Sequence, residues 1–142
     1  MRLVNERIRA NRFLYWAGIL QLFYGLFEMV DVVTITIITI GLIPNIYSSL
    51  VPVTTEIGTF MATMPGLFVI IFLFFASLRI SSGYWILRNR VMGFWMAIFV
   101  TGVSLVAVWF FLPFGAFDLC IILPFIVLLF NGYYQDKPII SN

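Results

Sequence analysis

Residues 13–30 read FLYWAGILQLFYGLFEMV, and the fold turns on whether this run is a soluble core helix or a membrane span. An α-helix needs about 20 mostly apolar residues to cross the hydrocarbon core of a bilayer. Three further stretches meet that length, at about residues 60–79, 91–111 and 116–134. Of the 142 residues, 63% are hydrophobic and 10% charged, with a mean hydropathy of +1.09. A soluble domain carries roughly 25% charged residues, so too few polar side chains exist here to cover a water-facing surface. The sequence therefore predicts an all-α membrane protein, a single domain over residues 1–142 built as a bundle of four transmembrane helices.

Arg2, Arg7, Arg9 and Arg12 precede the first apolar run, as in a secretory signal. Bulky residues persist to its end, however, and no small-x-small cleavage pattern follows Gly25, so the run reads as a retained signal-anchor helix. The remaining basic residues are Arg79, Arg88, Arg90 and Lys137, and residues 31–59 and 112–115 contain none. With four spans these two sets fall on opposite faces. The positive-inside rule then puts both termini on the cytoplasmic side of a cell membrane. Trp16, Trp85, Trp95, Tyr133 and Tyr134 gather toward the basic side and Trp109 toward the other, as interfacial aromatic belts do.

Two segments leave alternatives open. Residues 32–43, VVTITIITIGLI, are β-branched and alternate in a strand-like way, yet an unpaired strand edge cannot face lipid. They form an outer extension of the first helix, a loop on the bundle mouth, or a surface covered by another subunit. Domain bounds accordingly place an outer loop at about 31–59. In the second span, Pro65 sits either in the first turn or inside the helix as a kink. A start near Met64 places Arg79 inside the membrane, where it must snorkel or find an internal partner; a start near Gly58 makes it interfacial.

Function classes are narrowed by what the chain lacks. It contains no histidine and a single cysteine, Cys120, which removes the usual haem, copper and catalytic zinc ligands, the ordinary acid/base group, and any intramolecular disulfide. Met29, Met61 and Met64 read as packing residues rather than a Cu(I) site. Ser81, Ser82 and Ser104 have no histidine or buried lysine to activate them. We expect no enzyme activity, no cofactor, no metal and no nucleic-acid partner.

The polar residues that remain are patterned. Leu14, Ala17, Gln21, Tyr24, Glu28 and Asp31 are spaced 3, 4, 3, 4, 3, along one helix face. Gln21, Tyr24, Glu28 and Asp31 thus form a candidate polar track or ion site, or else Gln21 and Tyr24 bond across a packed bundle while Glu28 and Asp31 lie among outer headgroups. Arg79 is a candidate intramembrane charge. Gly58, Ala62 and Gly66, and likewise Gly93 and Ala97, recur four apart as candidate close-packing faces. The arm bearing Arg2, Arg7, Arg9 and Arg12 is a candidate contact for anionic lipid headgroups.

Within residues 83–138, Gly83, Leu87, Arg88, Arg90, Gly93, Trp95, Pro113, Phe114, Gly115, Lys137 and Pro138 mark a turn, a Gly/Trp-containing helix, a Pro-Phe-Gly turn and a last helix before a Lys-Pro tail. This half of the chain resembles the second half of a loose group of small four-helix membrane proteins of uncharacterised function. The resemblance implies architecture alone. These observations lead us to expect a non-catalytic accessory or assembly subunit of a larger membrane complex, such as a respiratory or monooxygenase assembly, with the lipid bilayer and other integral membrane subunits as partners. The alternatives are a small proton- or cation-coupled transporter using Glu28, and a lipid-interacting scaffold working through the basic arm.

Overall fold

A computed structural model describes residues 11–39, 63–110 and 115–134. The described residues form four helices, α1 (Arg12–Thr39), α2 (Pro65–Leu87), α3 (Val91–Phe110) and α4 (Gly115–Tyr134). Within α1, α2 and α3, the stretches Arg12–Ile37, Gly66–Leu87 and Val91–Trp109 are long and apolar enough to cross a membrane, and the apolar part of α4, Asp118–Tyr134, is shorter. Helix α1 packs on α2 and α4, and α3 packs on the same two, so the helices close into a ring in chain order.

Helix α1 does not stop at residue 30, and the loop expected from Asp31 onward is helical as far as Thr39. The threonines of the strand-like run are accommodated because their hydroxyls donate back one turn, Thr34 Oγ1 to the Val30 carbonyl over 2.9 Å and Thr36 Oγ1 to the Val32 carbonyl over 2.7 Å. Such back-bonding satisfies a hydroxyl without solvent. Val32 and Ile35 are buried on the same helix. Of the three alternatives for residues 32–43, the helical extension holds over 32–39; residues 40–43 lie outside the described ones. Helix α2 begins with Pro65 in its first turn, after Met64, where the missing N–H costs nothing. It runs past the expected end at Arg79 to Leu87, so Arg79 lies well inside it.

Residues 88–90 turn the chain tightly between α2 and α3. Asn89 adopts a left-handed φ of 54°, its N–H donating to the Ile86 carbonyl over 2.8 Å while the Arg90 N–H donates to that of Trp85 over 2.9 Å. These are the two bonds of a Schellman motif, closing carbonyls that the helix end would otherwise leave unpaired, and asparagine is among the few residues that enter this conformation readily. At the same end of the molecule, Asn11 caps α1 through Oδ1, which accepts from the Leu14 N–H over 3.2 Å, while its Nδ2 donates to the Gly132 carbonyl of α4 over 2.8 Å. One buried side chain therefore starts the first helix and ties it to the last.

The most extensive helix contact is between α1 and α2, and glycines line it. A methyl group at Gly83 would lie 2.8 Å from the Gly18 carbonyl oxygen and 2.9 Å from the Leu22 nitrogen, and one at Gly25 would lie 2.9 Å from Arg79 Cβ. Gly93 meets the α2 backbone at Ile86 in the same way, and Ala97 is fully buried. At Gly66, by contrast, nothing lies within 4 Å of a methyl placed there. Gly58 and Ala62 lie outside the described residues. At a rise of about 1.5 Å per residue, α1 continues about 16 Å beyond Glu28 and α2 about 21 Å beyond Arg79, whereas α3 stops about 9 Å beyond Ser104. The α1–α2 pair thus projects past the other two helices.

Candidate functional site

Glycine at position 25 lets α1 approach α2 closely, and one turn further along α1 the space is filled by a charge pair. Arg79 Nε donates to Glu28 Oε1 over 2.7 Å, with the arginine 1% and the glutamate 12% exposed. The guanidinium also lies over the Tyr24 ring, 3.9 Å from its centre, and Nη2 donates to Ser104 Oγ on α3. Ser104 in turn donates to the Val100 carbonyl over 2.9 Å. One arginine therefore engages α1 through an anion and a π-face and α3 through a hydroxyl, all within the packed interior.

A second polar layer lies one helical turn away. Gln21 Nε2 donates to Ser82 Oγ over 3.2 Å, and Ser82 donates to the Arg79 carbonyl over 2.8 Å. Thr101, one turn from Ser104 on α3, is 2% exposed. Asp118 in the first turn of α4 lies within electrostatic reach of Tyr24, Glu28 and Asp31; a carboxylate at that position also suits the positive end of the helix dipole. All four helices thus contribute to the polar centre. Glu28 Oε2, Arg79 Nη1 and Thr101 Oγ1 are buried without a hydrogen-bond partner among the described residues.

The predicted polar track is partly assembled. Gln21 and Tyr24 are buried, Glu28 is paired, and Asp31 is exposed, outside the core of the cluster. Arg79 is the charge that needed an internal partner, and Glu28 is that partner. Of the basic arm, Arg12 opens α1 and is exposed; Arg2, Arg7 and Arg9 lie outside the described residues. Sequence reading missed the pairing itself and the roles of Ser82, Ser104, Thr101 and Asp118. The available signal was that the first two apolar stretches each hold a charge, opposite in sign, where an unpaired charge costs about 2.5–3.5 kcal/mol.

No cluster of three or more histidine, cysteine, aspartate or glutamate side chains placed to hold a metal occurs among the described residues. Comparison of the chain with known protein families, characterised proteins and solved structures finds no match.

Proposed function

We propose that the chain is a non-catalytic integral subunit of a larger membrane complex, a four-helix transmembrane bundle in which α4 is the fourth span and both termini lie on the cytoplasmic side. The observation that carries this reading is the inverted distribution of polarity. Arg79, Gln21, Ser82 and Thr101 are at most 2% exposed, while Phe23, Ile70, Val106 and Trp109 are each more than 60% exposed. Arg79, Gln21 and Ser82 are hydrogen-bonded within the bundle, and the surface offered outward is apolar. Lipid covers part of such a surface. The projecting α1–α2 pair, with Val30, Val33 and Leu67 exposed, supports a neighbouring subunit as the cover beyond the ends of α3 and α4. Purification from the native membrane in mild detergent followed by mass measurement tests the reading: a larger assembly is expected, and a monodisperse lone chain or simple homodimer overturns it.

One observation favours a second reading, coupled transport of a proton or cation at Glu28 with Gln21 and Tyr24 lining the path. Glu28 Oε2 accepts no hydrogen bond among the described residues, leaving half of the carboxylate for a transported ion. Glu28→Gln in proteoliposomes would then abolish proton-coupled flux. Unchanged flux removes Glu28 as the coupling site.

A further inference from the structure

Each helix carries two adjacent aromatic residues at the same end of the molecule. Tyr15 and Trp16 begin α1, Tyr84 and Trp85 end α2, Phe94 and Trp95 begin α3, and Tyr133 and Tyr134 end α4, the rings of each pair set edge-to-face. Phe94 and Tyr133 stack with centres 4.9 Å apart, joining α3 to α4. Amphipathic rings at a common level mark the headgroup zone of a bilayer, and residues 88–90 lie at this level.

The two arginines of that turn are exposed, and neither meets a carboxylate among the described residues. Each is instead held against an aromatic ring, Arg88 over Tyr84 at 5.1 Å and Arg90 over Trp85 at 4.7 Å from the ring centres. A ring contact satisfies no guanidinium N–H group, and those groups can take a phosphate through two parallel hydrogen bonds.

We propose that the turn over residues 88–90 binds the phosphodiester headgroup of an anionic phospholipid. The site is independent of the subunit reading.

The test titrates the purified full chain, in non-ionic detergent, with phosphatidylglycerol or with phosphatidylcholine of the same acyl chains, and counts bound lipid by native mass spectrometry. With two arginines near the surface, phosphatidylglycerol should bind about tenfold or more tightly than phosphatidylcholine. Arg88→Gln with Arg90→Gln should reduce the preference to within about twofold; a preference retained in this variant overturns the proposal. Should that variant lose its helical circular dichroism, the single substitutions serve, each expected to weaken the preference about fivefold, and retention in both overturns it. Excess inorganic phosphate should leave the bound phosphatidylglycerol in place. Displacement would mean that the site reads free phosphate, and the lipid assignment would fall.

Discussion

Arg79 and Glu28 stand 51 positions apart in the chain, yet their side chains meet at 2.7 Å in the interior. Their energetics follow from the cost of leaving one charge behind. Arg79→Ala or Glu28→Ala strands an ion in an apolar surround and should destabilise the fold by about 3–5 kcal/mol. Replacing both together, as Glu28→Met with Arg79→Met, should be close to neutral. Denaturant unfolding in a fixed mixed micelle, read as a double-mutant cycle, checks both arms; additive losses would show that the residues do not act as a pair.

The glycine seam predicts a contrast between two sites of identical chemistry. Gly83→Ala inserts a methyl 2.8 Å from the Gly18 carbonyl oxygen, and separating the helices should cost about 1–3 kcal/mol. Gly66→Ala meets open space and should be neutral or stabilising by up to about 1 kcal/mol, since alanine is the better helix former. Melting temperatures of the two variants in the same detergent should move apart.

At residues 88–90 the backbone sets the rule. Asn89→Gly should be tolerated, because glycine enters the left-handed region freely. Asn89→Val should destabilise by at least about 1–2 kcal/mol, the penalty of that conformation for an ordinary side chain. Equal stability of the two variants would contradict the positive φ.

Asn11→Ala removes both a helix cap and a tie between α1 and α4. Loss of a cap alone costs about 0.5–2 kcal/mol, and the buried Gly132 carbonyl also loses its partner. Asn11→Asp keeps the cap acceptor but cannot donate to Gly132. It should therefore fall between wild type and alanine in unfolding free energy.

Much of the architecture was legible because it depends on local pattern. Apolar runs of spanning length marked four helices, and the 3-4 spacing of Gln21, Tyr24 and Glu28 marked the buried face of α1. The aromatic and basic residues that gather at one end were visible as a composition shift. What escaped was register. Which residue of α2 faces Glu28 depends on Gly18 and Gly83 meeting backbone to backbone, a contact between distant segments that neither segment encodes alone. The extension of α1 to Thr39 escaped for a related reason. A run of threonine and isoleucine favours a strand in isolation, and here back-bonding hydroxyls and burial of Val32 and Ile35 decide for helix.

The Arg79–Glu28 contact also bears on how the chain is made. Presented singly to a bilayer, α2 would carry an uncompensated guanidinium, at about 2.5–3.5 kcal/mol for a charge at mid-depth. Joined to α1 it carries none, since the anion that neutralises it arrives on the helix synthesised first. The first two helices are thus suited to enter the membrane as one hairpin rather than in succession.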